Sequence, residues 1–233
     1  MTISVVIPAY NEEKYLPQTL ASVKKLSRTP DEIIVVNASS TDATKDVALR
    51  SGAKVITVKK STIGYSRQVG LKAAKSEVVV FTDADVNIPS DWLTRMETYI
   101  QKPGVVGVFG GFRVPDGPWW YKIYINILQP VLNMVYFSIL RIPMATGQNM
   151  AFYKEKALSV GGFPEEFRIA EDIEIARRLM RIGKIIFRQD FYVWASGRRG
   201  YEGFGRLIQR IFKAFFYYFV FRKADTVGFP DVR

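Results

Sequence analysis

Cysteine and histidine are both absent from this 233-residue chain. Without cysteine there is no disulfide framework and no thiolate metal site, a composition compatible with a reducing compartment. Without histidine, any general base must be a carboxylate or, less often, Lys or Tyr, and any bound metal must be a hard ion held by oxygen. Membrane-spanning apolar runs are also lacking. The most apolar stretch, Trp119–Leu140, carries no charge between Lys122 and Arg141, but Asn126, Gln129, Pro130 and Asn133 interrupt it. It reads as a buried or interfacial helix and not as a span. No basic segment precedes the first strand-like run, so no signal peptide is expected. There is no internal repeat and no low-complexity linker.

Acidic residues are in deficit: 22 Asp and Glu stand against 33 Lys and Arg, leaving a net charge of +11. Such an excess implies an anionic partner, whether nucleic acid, a phosphorylated small molecule or an acidic lipid surface. Eight of the basic residues and only three acidic ones lie between Ser196 and Arg233. Hydrophobic residues make up 48% of the chain, enough for one well-filled α/β core, so we expect a single catalytic domain over 1–200 followed by a basic, aromatic segment at 201–233.

Four short Val- and Ile-rich runs occupy the first 85 residues: Ile3–Ile7, Ile33–Val36, Val55–Val58 and Val78–Phe81. They are continuous, not alternating, as expected of strands buried on both faces of a parallel sheet. Helical patterns separate them. The first is predicted from an Asn11 cap, with Glu12 and Glu13 in its first turn and Leu16, Leu20 and Val23 facing inward. The second is predicted from Ser39–Asp42 to Gly52, and the third over Tyr65–Lys75 with Val69 and Ala73 on the sheet side. Further on, Val105–Phe112 and Ala145–Tyr153 read as strands, and Glu171–Ile182 as a helix closed by Gly183. The βαβαβ order predicts a mostly parallel, twisted sheet with helices on both faces and ligands beyond the carboxyl ends of its strands.

Those ends carry Pro8-Ala9-Tyr10-Asn11-Glu12-Glu13, Asn37-Ala38-Ser39-Ser40-Thr41-Asp42 and Asp83-Ala84-Asp85. Each alone is ordinary turn punctuation; three on one sheet edge point to a site. In an extended chain the i and i+2 side chains of Asp83 and Asp85 share a direction. Converging carboxylates repel unless a cation joins them, and Mg²⁺ or Mn²⁺ accepts such oxygens alongside substrate phosphates.

These segments, followed in order by Gly147-Gln148-Asn149-Met150-Ala151, Gly161-Gly162-Phe163 and Glu171-Asp172, resemble the family 2 glycosyltransferases of the GT-A fold over roughly residues 1–200. The resemblance implies that a nucleotide-diphosphate sugar, UDP- or GDP-linked, is bordered by Pro8, Tyr10, Glu12, Asn37, Asp42, Arg67, Asp83 and Ala84. It implies Asp85, with Asp83 nearby, as ligands for Mg²⁺ or Mn²⁺. Asp172 matches the family's catalytic base, with Glu171 beside it to tune or replace it. Gln148, Arg198 and Arg199 are expected on the acceptor or phosphate side, paired guanidiniums being suited to bidentate phosphate contacts.

Two departures qualify the pattern. The family's Asp-Asp turn after the second strand is Asn37-Ala38 here, which leaves the base open between UDP and GDP. The Gln-x-x-Arg-Trp signature of processive members is absent, since Gln209-Arg210 is followed by Ile211-Phe212, so transfer of a single sugar is expected. Gly203–Lys223 interleaves Arg206, Arg210, Lys213, Arg222 and Lys223 with eight Phe and Tyr residues. That pattern fits a helix in a bilayer interface or on the acceptor side, with a core-packing helix and a nucleic-acid surface as alternatives. A polyprenyl-phosphate sugar synthase accommodates both the paired arginines and the aromatic tail. The expected setting is cytoplasmic, peripheral on the inner face of the membrane, with a lipid-linked or other membrane-proximal acceptor and no nucleic acid. A nucleotidyltransferase and a catalytically silent binding module on the same fold remain as rivals.

Overall fold

A computed structural model describes residues 1–140, 143–144 and 146–216. Strands β1 (Ile3–Ala9), β2 (Glu32–Asn37), β3 (Lys54–Thr57) and β4 (Val78–Phe81) are joined by helices α1 (Leu16–Lys24), α2 (Thr44–Arg50) and α3 (Ile63–Ala73). A two-residue strand β5 (Val86–Asn87) and helix α4 (Trp92–Ile100) lead into β6 (Val105–Arg113). Helix α5 (Trp119–Ile123), a π-helical turn at Tyr124–Leu128 and α6 (Gln129–Leu140) follow. Then come β7 (Met150–Tyr153), α7 (Lys154–Ser159), α8 (Glu171–Leu179), β8 (Lys184–Ala195), a 3₁₀ turn at Gly197–Glu202 and α9 (Phe204–Phe216).

The eight strands form one sheet in the order β3-β2-β1-β4-β7-β6-β8-β5. The first four are parallel, as predicted, but only β1, β2 and β4 are buried on both faces; β3 lies at the sheet edge with Lys54 and Thr57 exposed and Val55 and Ile56 half-buried. Beyond them the sheet is mixed: β7 runs antiparallel to both β4 and β6, β8 parallel to β6, and β5 antiparallel to β8. This arrangement brings the carboxyl ends of β1, β2, β4, β6 and β8 and the amino ends of β5 and β7 to the same edge.

Because β1 is buried on both sides, its consecutive residues serve different cores. Ile3, Val5 and Ile7 pack with Leu16, Leu20 and Val23 of α1 and with Trp92, Leu93 and Met96 of α4. Val6 joins Leu71 and Ala74 behind α3, together with Phe152, Phe163, Ile175 and Leu179. Pro8 is tolerated in this central strand because the β1–β4 ladder stops at Val6, whose carbonyl accepts from Thr82. The missing N–H of Pro8 therefore falls where β4 has already ended. A crevice opens there at the topological switch point, with β2 on one flank of β1 and β4 on the other.

Several predicted boundaries move. Asn11 does not cap α1; it sits at φ 52 in the left-handed region, and the helix begins at Leu16. Its side chain is spent on the neighbouring loop, accepting from the Thr41 N–H at 2.9 Å. Helix α2 starts at Thr44, after Asp42 Oδ1 has accepted the Thr44 N–H at 3.0 Å. Thr62 caps α3 by accepting from the Tyr65 N–H, so that helix starts earlier than predicted. Its buried face carries Arg67, Gly70 and Leu71, while Val69 and Ala73 are only half-buried. Of the predicted 145–153 strand, residue 145 lies outside the described residues and 147–149 form a turn, so β7 begins at Met150. Helix α8 ends at Leu179, before the predicted Ile182. Strands β5 and β8 correspond to no predicted element.

The 119–140 stretch lies on the surface. Asn126 anchors it by accepting from the Val114 N–H (2.8 Å) and donating to the Val114 carbonyl (2.9 Å). Trp119, Ile123, Ile127, Val131, Val135 and Ile139 face outward. Helix α9 packs Leu207 against Val114, Tyr121 and Ile125 and sets Phe204 edge-on to Trp120. Phe204, Ile208, Phe212 and Phe216, four residues apart, form an exposed stripe on it. Residues 217–223 of the predicted Gly203–Lys223 segment lie outside the described residues. Among the described residues no helix is long and apolar enough to cross a membrane.

Candidate active site

Two loops close the β1–β2 side of the edge, and they are stitched together. The Asn11 N–H donates to Ser40 Oγ (2.9 Å), the Glu13 N–H to Asp42 Oδ2 (3.1 Å), and Glu13 Oε2 accepts from the Ala43 N–H (2.9 Å). The buried Thr44 hydroxyl accepts from the Glu12 N–H at 2.7 Å and donates to Asp42. Burial works to raise the Asp42 pKa, but these donors outweigh it and hold the carboxyl below its usual value. Asn37 is buried at the end of β2, its Oδ1 accepting from the Ser40 N–H at 3.2 Å. Tyr10 is half-buried and receives a hydrogen bond from Lys60 Nζ at 2.8 Å. Pro8 lies wholly inside β1. Thr44 was not singled out from the sequence, since a lone threonine after Asp42 carries no signal of its own.

Asp83-Ala84-Asp85 adopts a turn in place of the expected extended chain, and its carboxylates are engaged by different arginines. Arg67 Nη2 donates to Asp83 Oδ1 at 2.8 Å, while Arg198 Nη2 lies 3.0 Å from Asp85 Oδ2. Ala84 contributes backbone only: its methyl is buried and its carbonyl accepts from Thr19 Oγ1 at 2.8 Å. The same hydroxyl accepts the Val86 N–H at 3.0 Å, so Thr19, likewise unpredicted, clamps the turn. Burial pushes the Asp85 carboxyl up to about 6; Arg198 opposes this, and Asp83 and Glu12 add to it.

Behind the turn, Arg67 is fully buried and donates through Nη1 to Glu171 as well as through Nη2 to Asp83. Its Nε has no partner among the described residues. Burial opposes the charge of Arg67, yet Glu171, Asp83 and Asp172 outweigh it and raise its pKa. Glu171, also buried, is thus committed to an ion pair. Asp172 is half-buried at the start of α8, accepting the Gly147 N–H at Oδ2 and the Ile173 N–H at Oδ1, both at 2.8 Å. Burial raises the pKa of both acids above the usual carboxylate value, and Arg67 pulls against it. The residue before them, Ala170, is left-handed at φ 62, a strained conformation of the kind that gathers at functional sites. A Cβ at Gly147 would fall 2.1 Å from an Arg67 nitrogen, so a side chain there would force the guanidinium to shift.

Gln148 is half-buried beside Gly147, whereas Asn149 is fully buried. Asn149 joins three elements: its Oδ1 accepts from Trp92 Nε1 and its Nδ2 donates to the carbonyls of Gly111 and Phe191, all at 2.9 Å.

Arg198 reaches the edge because β8 pairs with β5, Val86 opposite Ala195. The Ser196 N–H then donates to the Asp85 carbonyl (3.0 Å) and the Gly197 N–H to Asp116 Oδ1 (2.7 Å). The Arg198 guanidinium forks onto Glu12 at 2.7 and 3.0 Å and lies over the Tyr15 ring, 4.5 Å from its centroid. Arg199 is exposed, close enough to favour the charged form of Asp85. Beside Asp85 a cleft of about 430 Å³ is lined by Tyr15, Gln18, Asn87, Asp116 and Trp194. Among the described residues no group of three or more Asp or Glu forms a ready-made metal cage.

A parallel-to-mixed sheet with acidic turns at its carboxyl edge is a doubly wound α/β fold with a ligand crevice at that edge. The sequence pattern of "Glycosyl transferase family 2" matches residues 4–172, and the chain belongs to that family. It is 37% identical over 163 residues to the 4,4'-diaponeurosporenoate glycosyltransferase of Staphylococcus haemolyticus, covering 65% of this chain and 42% of that protein. The chain spans about half or less of the length of the curated relatives it matches. The GT-A fold is shared with the mannosyltransferase PcManGT from Pyrobaculum calidifontis, solved with GDP-Man and Mn²⁺ (TM-score 0.69, 24% identity, 91% of this chain and 60% of that one). It is shared too with glucosyl-3-phosphoglycerate synthase from Mycobacterium tuberculosis, solved with Mn²⁺, UDP and glucosyl-3-phosphoglycerate (TM-score 0.63, 22% identity, 83% and 70%).

Proposed function

We propose that this protein transfers a single sugar, with inversion, from a UDP- or GDP-linked donor to a lipid-linked or other membrane-proximal acceptor, using Mg²⁺ or Mn²⁺. The observation that carries this reading is the convergence of Asp83, Asp85, Arg198 and Asp172 on one sheet edge in a chain of this family.

The donor set fits a hard divalent ion. All available ligands are oxygens, and Mg²⁺ is commonly held by one or two carboxylates plus substrate phosphates. Asp85 lies close to Asp83 and Glu12, and burial, with those two acids adding to it and Arg198 opposing, pushes its carboxyl up to about 6. Asp85 and Asp83 would hold the ion, which supplies neutralisation of charge on the departing diphosphate. Arg198 and Arg199 add guanidiniums on the same side. Asp172, held by the Gly147 N–H, takes the proton of an acceptor hydroxyl as that oxygen attacks the anomeric carbon. Attack from the face opposite the leaving diphosphate inverts the centre. A phosphate acceptor, as in a polyprenyl-phosphate sugar synthase, is already anionic and relieves Asp172 of that task.

The membrane setting is supported by the exposed apolar stripes of α6 and α9. Ile139 and Phe212 are each 71% exposed, and Arg206 and Lys213 stand on the same helix as Phe212. Exposed apolar residues alternating with cations along a helix fit an anionic bilayer interface.

The test is a thermal-shift screen of UDP- and GDP-sugars with and without Mn²⁺, since a ligand that binds only the native state raises stability. The expected result is a metal-dependent shift with one donor, followed by release of the nucleoside diphosphate when acceptor is added. Release of pyrophosphate instead identifies a nucleotidyltransferase. Donor binding without turnover identifies a silent module.

A further inference from the structure

We infer that Arg198 stands where a divalent cation would be held against Asp85, so that metal binds tightly only when a nucleotide diphosphate draws the guanidinium away. The inference rests on the reading of Asp85 as a metal ligand. It adds that metal alone binds weakly and that the cation-site affinity is set by a residue distant in sequence from the acidic turn.

The geometry is that of a guanidinium shared between two acids. Arg198 gives Glu12 a two-pronged contact at 2.7 and 3.0 Å and still reaches Asp85 Oδ2 at 3.0 Å. The Tyr15 ring supports its face. Its backbone is pinned: Ser196 Oγ accepts the Arg198 N–H at 3.3 Å, and the preceding residues bond to the Asp85 carbonyl and to Asp116. The side chain is the part that can move: it is 15% exposed and pairs with Asp85, which lines the cleft. A dication bound to Asp85 would sit beside a guanidinium in a poorly solvated site, where like charges repel strongly. Metal alone therefore meets an electrostatic barrier. A diphosphate arriving with the metal offers the displaced guanidinium a bidentate anionic partner in place of Asp85. The cation-competent state is populated only when Arg198 has left Asp85, which lowers the apparent metal affinity by that fraction. The coupling is reciprocal, so metal must tighten nucleotide by the same factor.

The test is calorimetric titration of Mn²⁺ into the wild-type chain, Arg198→Gln, Arg198→Lys and Arg199→Gln, each with and without saturating UDP or GDP. Arg198→Gln is expected to bind Mn²⁺ alone at least about tenfold more tightly than wild type and to show a smaller gain from nucleotide. Arg198→Lys, which keeps a cation in place, is expected to stay close to wild type. Arg199→Gln removes the same charge next door and controls for a general electrostatic effect; its change is expected to be much smaller. Equal affinity in Arg198→Gln and wild type, or an equal gain in Arg199→Gln, overturns the inference while leaving the metal site standing. No Mn²⁺ binding by any protein, with either nucleotide, overturns both. A wild-type crystal structure with Mn²⁺ and the nucleotide is independent of how the variants fold: Arg198 off Asp85 supports the inference, and Arg198 still paired to a metal-bound Asp85 refutes it.

Discussion

Arg67 and Glu171, 104 residues apart in the chain, form a buried ion pair beneath the acidic edge, and the same guanidinium holds Asp83. One side chain thus ties the turn after β4 to the first residue of α8 and fixes the spacing between the proposed metal ligands and the proposed base. Removing one partner of such a pair leaves a buried charge unmatched. Arg67→Met should therefore lower unfolding stability by about 3–5 kcal/mol, read as a fall in the urea midpoint. The double variant Arg67→Met/Glu171→Met should recover much of that loss, because no uncompensated charge remains at that pair. A double variant no more stable than the single one would refute the pairing energetics.

Asp172 separates two acceptor chemistries. With a hydroxyl acceptor, Asp172→Asn should lower turnover by about 10²–10⁴-fold while leaving donor binding intact. With a phosphate acceptor its activity should survive far better than that of Asp85→Ala. Steady-state kinetics with both acceptor types distinguishes the cases.

The acidic limb of the pH profile follows from the same residues. Asp172 must be ionised to accept a proton, and its pKa lies above the usual 3.8, so turnover should fail at a higher pH than an ordinary aspartate would dictate. Arg67 lowers that pKa, so Arg67→Met should move the limb further toward neutral pH. The linked stability effect runs in a fixed direction. Glu171 and Asp172 hold protons more tightly folded than unfolded, so their contribution is present below the unfolded pKa and is lost as pH rises through the folded one. Melting curves across that range check the sign, and kcat/KM against pH checks the limb.

Gly147 is a steric test of the same cluster. A methyl there falls 2.1 Å from an Arg67 nitrogen, and that guanidinium is already held by Glu171 and Asp83. Gly147→Ala should cost about 1–3 kcal/mol, as overpacking of a buried site does, and should impair turnover more than donor affinity, because the Gly147 N–H also positions Asp172. Thermal melts and kinetics on one preparation read both effects.

The exposed stripes call for a separate measurement. Replacing Phe204 and Phe212 with Ser removes apolar area from α9 without touching the sheet edge. Sedimentation with anionic vesicles should fall several-fold, while nucleotide binding in solution stays at the wild-type level. Unchanged sedimentation would remove the support for a bilayer-facing α9.

The parallel half of the fold and the order of its acidic turns were legible from the chain, because strands buried on both faces must be continuously apolar and sites at their ends must be polar. Strand β8 shows only a broken alternation in the sequence, because polar Gln189 shares the buried face with Phe187, Phe191, Val193 and Ala195, and two-residue β5 has no periodicity to detect. Helix starts were misplaced where side chains that look like caps had long-range partners instead, as Asn11 does in the 38–44 loop. The pairing of charges was beyond the sequence altogether. Local pattern can nominate Asp83, Asp85, Glu171 and Asp172 as a set of acids. Which arginine neutralises which acid depends on β5 pairing with β8 and on α3 packing beneath α8, contacts between segments about a hundred residues apart. Local periodicity fixes elements because the backbone repeats; charge pairing is fixed only when the packed sheet decides which side chains share a site shielded from water.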